Sequence, residues 1–314
     1  MLTHALFGAG VALAWFCAIN LTLTALLLSV LPFVRRRLQT QPTPRLALAL
    51  RLLPAAGSFV IVAAGGVPAY VLFEPRGVRE GFGIVASALI VGGACLILAA
   101  VVRATNAHRR TAGTLRAKRA VPIAERGGVP LLVVETREPF MWLAGVWRPR
   151  VYISRAIVDA LTPEELDRAV AHELAHHQAA DNAKRRAIAC APDLLWLLPA
   201  GRALERHWRD AAELDADAAA GATSDGAAVL ASALVKVARL AAGSRAADLP
   251  CAAFHDQRPI ADRVRRLLAV SSRQRRRHGG QRAGAALLLT AALAGLPALL
   301  PIIHSLTERL VRLP

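Results

Sequence analysis

The sequence predicts a mainly α-helical chain in which four membrane-crossing helices carry one α+β domain with a small sheet. Three observations lead there. The 314 residues are 55% hydrophobic with a mean hydropathy of +0.40, too apolar for an ordinary soluble domain, and the excess is gathered into blocks of bilayer length. A long polar stretch, Arg103 to Arg282, separates the third block from the fourth. Within it, short Val- and Ile-rich runs precede amphipathic helical patterns, so strands are expected ahead of helices.

The first apolar block runs from about Leu6 to Val34 and ends at Arg35-Arg36-Arg37. It is too long for a signal-peptide core, and its basic residues follow it rather than precede it. The second runs from about Leu52 to Phe73; a spanning helix tolerates Pro54 and Pro68, and Arg51 is expected to snorkel from its end. The third covers about Phe82 to Val102, and the fourth about Ala283 to Ile303, where Pro297 and Pro301 kink or end it. Residues 1–102 are thus expected to hold three spans (about 6–34, 52–73 and 82–102), 103–282 one domain, and 283–314 a fourth span with a short tail.

Charge sets the expected orientation. The loops Arg35 to Arg51 and Arg103 to Arg119 are basic, whereas Glu74 to Gly81 is balanced by Glu74 and Glu80 against Arg76 and Arg79. By the positive-inside rule the N-terminus lies outside, the domain is cytoplasmic and the tail is outside. The net charge of +17 could suit a nucleic-acid binder. Here, however, the arginine clusters abut apolar blocks and no nucleic-acid motif accompanies them, so the bilayer with its anionic headgroups is the expected partner and direct nucleic-acid binding is not. The four cysteines show no CxxC spacing, which indicates neither a zinc ribbon nor a disulfide framework.

Inside the polar stretch, Pro130 to Glu135 and Arg150 to Ser154 read as strands, with Phe140 to Trp147 a candidate third. A helix then opens on a capping box: Thr162 as N-cap, Pro163 first in the helix, Glu165 three residues after the cap. Its apolar stripe, Leu166, Val170 and Leu174, lies away from His172 and His176, so one side can pack while the other faces inward. Ala187 to Ala200 is too short to span; it reads either as a buried helix or as a segment at the membrane surface with Trp196 at headgroup level. Helices are expected over about Ala203 to Ala220, stopped by Gly221, and Ser224 to Ala242, and a basic linker over Ser271 to Gln281.

The most informative residues are in the run Ala171-His-Glu-Leu-Ala-His-His-Gln178. Positions i and i+4 share a helix face, so the imidazoles of His172 and His176 can point at one metal ion, and Glu173 stands beside it where a carboxylate can accept a proton from bound water. Such a run also arises by chance on a polar helix whose imidazoles cap carbonyls or face solvent. A catalytic zinc takes three protein ligands and keeps one open position. Glu213 is a candidate third ligand, with Asp217 one turn on to accept the other ring N–H of a ligating histidine; the alternative is a solvated acidic face with Asp210 and Asp215. His177 points about 100° away from His176 and is not expected to ligate. His255 and Arg263 are candidates to steady an oxyanion, against the plain reading of a surface histidine and a helix-surface arginine.

The pattern Thr-Pro-Glu-Glu-Leu-Asp-Arg-Ala-Val-Ala-His-Glu-Leu-Ala-His, followed by Asp181-Asn182 and later by Glu213-x-x-x-Asp217, resembles the membrane-bound gluzincin metallopeptidases. It is most similar to the antirepressor peptidases of the BlaR/MecR type, which are related to the HtpX-like and CAAX-prenyl-type membrane proteases. Gly145 to Ser154 resembles the strand region ahead of their helix, and His255 to Leu268, with Pro259 and Arg263, resembles their C-terminal region more loosely. The resemblance covers about Val129 to Leu268. It implies a zincin-like fold for the domain and zinc held by His172, His176 and Glu213, with Glu173 as the base and Asp217 behind the ligands. It also implies that substrate adds as a strand along an edge near Phe140 to Trp147, and that a cytoplasmic protein is cleaved. In the antirepressors that protein is a small winged-helix transcription repressor, and self-cleavage accompanies activation. The sensor members carry an extracellular domain after the last span, where about ten residues follow here, so a trigger is expected from a partner or the membrane.

Three readings of function follow. The chain is a regulatory zinc endopeptidase of a bacterial cytoplasmic membrane that inactivates a repressor, a quality-control protease for damaged membrane proteins, or an inactive scaffold that kept the fold. Glu173 argues against the last, since a scaffold has no need of the base.

Overall fold

The computed structural model describes residues 2–40, 44–74, 81–116, 119–243, 260–269 and 300–312. Three long apolar helices open the chain: α1 (Leu2–Thr40), a rod made of α2 (Pro44–Ile61), a π-helical turn (Val62–Gly66) and α3 (Val67–Phe73), and α4 (Ile84–Arg116). The segments His4–Val34, Pro44–Phe73 and Ile84–Thr111 are each long and apolar enough to cross a membrane. The π turn has a local cause. Pro68 has no N–H to return to the preceding turn, and the N–H of Val67 reaches the carbonyl of Val62 instead, which widens the helix by one residue.

Two boundaries differ from expectation. The second rod begins at Pro44 rather than Leu52, and α4 runs on to Arg116 through what reads as a basic loop. Arg51 does not snorkel: it is 2% exposed and paired with Asp193. Charge interrupts the hydropathy pattern at Arg51 and Arg103, but a helix continues through a charge that finds a partner. The expected fourth span, Ala283 to Ile303, and the linker Ser271 to Gln281 lie almost wholly outside the described residues. Residues 300–312 form a helix, α11, which takes in the end of that span and the short tail expected after it. Trp15 Nε1 donates to Thr307 Oγ1 at 2.9 Å, Val311 is buried with Val11 and Tyr70, and the N–H of Gly83 donates to the Val311 carbonyl at 3.0 Å.

The sheet follows: β1 (Ala120–Arg126), β2 (Val129–Val134), β3 (Met141–Ala144) and β4 (Arg150–Ser154), in the order β1-β2-β4-β3. β2 and β4 are parallel; the β1/β2 and β3/β4 pairs are antiparallel. The three expected strands are present. β1 escapes sequence reading because Pro122 interrupts it and it is an exposed edge whose register shifts at Pro122/Ala124. Its sequence signal is the Gly127-Gly128 turn, with φ of 57° and 77°, suited to a two-residue hairpin.

One face of the sheet (Val129, Leu131, Met141, Leu143, Val151, Ile153) packs on α5 (Arg155–Ala160), α6 (Pro163–Gln178) and α9 (Ser224–Gly243) through Ile157, Val170, Ala233 and Val237, with Leu166 and Leu174 at the margin. The capping box of α6 is present: Glu165 N–H donates to Thr162 Oγ1 at 3.3 Å and Thr162 N–H donates to Glu165 Oε2 at 2.8 Å. After α6 come α7 (Asp181–Cys190), α8 (Pro199–Ala220), which Gly221 caps, and α10 (Ile260–Ala269).

Ala187 to Ala200 is neither a single buried helix nor a surface segment. It comprises the end of α7, a 3-10 turn at Leu194–Trp196, and the start of α8. The turn inserts among the apolar rods: Leu194 packs with the cluster of Phe16, Val62 and Leu96, and Leu195 with Leu27, Ala47, Ile188, Leu204 and Trp208. Gly201 is required here, because a Cβ at that position would collide with the carbonyl of Leu195.

Candidate metal centre

α6 carries His172, Glu173 and His176 on its buried side, with 1%, 1% and 4% exposure. The two rings meet edge to face with centroids 4.8 Å apart. α8 brings Glu213 opposite them: His172 Nε2 lies 3.4 Å from Glu213 Oε2, and His176 Nε2 lies 3.3 Å from Glu213 Oε1. One ligand atom from each of the three lies within 4.8 Å of the others. His177 is half-buried and stands outside this group, and Asp215 is exposed on the far side of α8.

Behind each imidazole sits a second carboxylate. His172 Nδ1 is 3.1 Å from Asp217 Oδ1, and His176 Nδ1 is 2.8 Å from Asp181 Oδ2. Asp181 is the residue that spacing misses. It opens α7 after Ala180, whose φ of 56° turns the chain back on α6, and Lys184 Nζ holds its other oxygen at 2.8 Å. Arg263 lies buried behind α8. Its Nε and Nη2 bind the two oxygens of Asp217 at 2.8 and 2.5 Å, and its Nη1 is 3.5 Å from Glu213 Oε2. The guanidinium expected to face an oxyanion is thus committed to two carboxylates. His255 lies outside the described residues.

Glu173 is positioned by the sheet. Its Oε2 accepts the N–H of Leu143 in β3 at 2.8 Å, while Oε1 is buried and meets no hydrogen-bond partner among the described residues. Asn182 Nδ2 donates to the carbonyls of Leu143 and Gly145, each at 3.0 Å, and so ties the end of β3 to α7. β3 is an edge strand. Leu143 points its backbone groups away from β4, and by strand alternation Met141 does the same.

The electrostatics fit a cation. Burial pushes the Glu173 carboxyl up, more than the two imidazoles pull it down. Burial alone would lower His176, but Asp181 and Glu213 raise it to about 10. Glu213, although buried, is held well below the usual carboxylate range by the facing imidazoles, and Asp217 is held low, against burial, by Arg263 and His172. The field that keeps protons on these rings is the field a divalent cation would meet. His176 Nε2 and Glu213 Oε2 are buried and make no hydrogen bond among the described residues, so two of the three converging donors lack the satisfaction that buried polar atoms normally have. Two imidazoles and a carboxylate, with acidic partners on the outer ring nitrogens, form a donor set that fits a metal. A second group, Glu74, His304 and Glu308, meets the same distance test, but it is half-buried and Glu308 is already ion-paired with Arg312 at 2.7 Å.

A His-Glu-x-x-His helix facing a glutamate from a later helix, in a chain with three helices fit to cross a membrane, defines a membrane metallopeptidase. Comparison with known families agrees. Residues 78–267 match the family described as BlaR1 peptidase M56, and the chain belongs to that family. Peptidases of this family are generally metal-dependent. No curated protein and no solved structure matches the chain.

Proposed function

We propose that the chain is an integral-membrane zinc metalloendopeptidase that cleaves a cytoplasmic protein, a transcription repressor, in signal transduction, and that it also cleaves itself. The observation that carries this reading is the buried convergence of His172, His176 and Glu213 on one point, with Glu173 beside it. In this reading the three residues hold Zn2+. Zinc, when bound, lowers the pKa of a water toward about 7 and polarises a carbonyl.

The chain's own groups do the rest. Glu173, held by the Leu143 N–H through Oε2, offers Oε1 to accept the proton of the attacking water and hands it to the leaving amine. Burial raises its pKa above the ordinary carboxylate value, the direction that favours holding a proton between its uptake and its release. Asp181 and Asp217 lie against the Nδ1 atoms of His176 and His172, a placement that would hold those protons on Nδ1 and leave both Nε2 lone pairs to hold the metal. Arg263 steadies Asp217 and Glu213 rather than the oxyanion. Substrate adds as a strand along the outer edge of β3 at Met141, since the backbone groups of Leu143 are taken by Glu173 and Asn182, and this brings a scissile carbonyl past Glu173. The domain faces the cytoplasm of a bacterial inner membrane and the N-terminus lies outside, a reading supported by the basic loops at one end of the apolar rods.

The test compares wild type with Glu173→Gln in liposomes, measuring zinc content and cleavage of itself and of winged-helix repressors. Both proteins should bind zinc, and Glu173→Gln should cut slower by about 10²–10⁴-fold. Equal cleavage by both would remove Glu173 from the chemistry.

A further inference from the structure

Three separate helices of the membrane part reach one short turn of the catalytic part. Asn20 of α1 donates Nδ2 to the Pro192 carbonyl at 3.1 Å. Arg51 of α2 donates Nη1 to both oxygens of Asp193, at 2.9 and 3.2 Å. Arg103 of α4 donates Nη2 to the Ala191 carbonyl at 2.5 Å and lies 4.7 Å above the centre of the Trp196 ring. The Arg51–Asp193 pair is sealed from solvent, at 2% and 0% exposure, and Asp193 also accepts the N–H of Leu195 at 2.9 Å. The need is physical. A chain that leaves the helix among apolar rods exposes carbonyls to which no water can bond, and such backbone survives only where protein groups satisfy it.

What the turn joins gives the clamp its consequence. α7 starts with Asp181, which holds His176, and α8 carries Glu213 and Asp217. Both helices leave the clamped turn, α7 with 10 residues and α8 with 22. Glu213 lies about 21 Å along α8 from Pro199, so a shift of the turn travels along the rod to the carboxylate with little loss. An apolar pair would fill the same space; the bidentate ion pair adds a direction that greasy contacts lack.

We infer that Arg51, from a membrane-spanning helix, is a positioning residue of the metal centre, acting through Asp193 and the α7–α8 turn to set Glu213 and Asp181 against the paired imidazoles. This rests on the reading that His172, His176 and Glu213 hold a metal. It makes metal affinity depend on the relative placement of α1, α2 and α4, so a displacement among the spans reaches the site by this route.

The test uses the full chain in lipid nanodiscs and titrates zinc against a chelating dye, with thermal unfolding followed in parallel. Arg51→Met should weaken zinc binding about tenfold, the scale of losing a group that orients a ligand. Arg51→Lys, which keeps the charge, should recover most of that loss. Tyr70→Phe, which cuts the tie to the His4 carbonyl at the other end of the rods, should lower the unfolding temperature and leave zinc affinity alone. A folded Arg51→Met with wild-type affinity overturns the inference, as does an equal loss of affinity in Tyr70→Phe, which would mark a generic effect of stability. Should Arg51→Met fail to fold, Arg103→Gln carries the test: zinc binding weakened about threefold or more supports the inference, and wild-type affinity overturns it. Wild type that binds no zinc would sink the metal reading itself, a result distinct from equal affinities.

Discussion

Asp181→Asn is the sharpest probe of how the centre is built, because it changes charge and leaves shape alone. The Asp181 carboxylate accepts on both sides: from His176 Nδ1 at 2.8 Å and from Lys184 Nζ at 2.8 Å. Against its burial, these two partners keep its pKa low. An asparagine amide has one accepting end and one donating end. Whichever way it turns, an N–H meets either the imidazole N–H or the lysine ammonium. If the clash falls on His176, the ring loses the acceptor that fixes its tautomer and its Nε2 is no longer aimed at Glu213. If it falls on Lys184, a charge-assisted bond is lost and the start of α7 loosens. Losses of such supporting partners cost about 10–100-fold in metal affinity, or about 1.4–2.7 kcal/mol. Chelator competition on the detergent-purified chain reads this directly, and the unfolding temperature without added metal serves as control. Zinc binding as tight as wild type, in a folded variant, would refute the assignment of Asp181 to the centre.

Two other expectations follow from different parts of the domain. Glu165 is 7% exposed, and burial would raise its pKa, but Lys236, Ser232 and the Thr162 N–H overcome this and pull it down from 4.5 to about 2. A depressed carboxyl stabilises above its unfolded pKa and loses that contribution as pH falls through the folded one; here about 3 kcal/mol should vanish between about pH 5 and pH 2. Acid unfolding should therefore be shallower in Glu165→Gln, and an unchanged acid slope would contradict the ion pair. Gly145 has a φ of 93°, and a Cβ there would strike the Arg148 carbonyl. Gly145→Ala should distort the loop that Asn182 anchors, costing about 1–3 kcal/mol of local strain. The KM for a peptide substrate should rise while zinc content stays constant; an unchanged KM would detach this loop from substrate binding.

Much of the centre is legible in sequence because it is local. The capping box Thr162/Glu165 starts α6, the i and i+4 spacing puts His172 and His176 on one face, and Gly221 ends the helix that presents Glu213 and Asp217. Each of these depends on chemistry within a turn or two of the chain. Asp181 is close in sequence but reaches His176 only because Ala180 adopts a left-handed conformation, which no residue type there announces. The Leu143 N–H is a backbone group and leaves no mark in composition, yet it aims Glu173. Arg263 reads as a surface arginine until α10 packs on α8 and commits its guanidinium to Asp217. The Arg51–Asp193 pair spans 142 residues, so each partner alone reads as an interruption: a charge at the end of a span, an acid in a short apolar run.

That pairing also reconciles the two boundaries of the second rod. Pro44–Phe73 is 30 residues long, about 45 Å as a helix, against a hydrocarbon core of about 30 Å. Counting back from Phe73, such a core is used up near Leu52, where hydropathy places the limit. The two turns before it, Pro44 to Arg51, continue the same helix, and Ala47 there is buried with Leu204 and Trp208 of α8. Arg51 therefore stands where the apolar part of the rod ends and the turn between α7 and α8 begins to pack on it. A positive charge at that level ordinarily reads as a topology signal, but an arginine bound to a buried aspartate no longer answers to the membrane potential or to headgroups as a free one does. The sequence also places Arg35 to Arg37, Arg45, Arg109 and Arg110 toward one end of the apolar rods, and the balanced stretch Glu74 to Gly81 at the other.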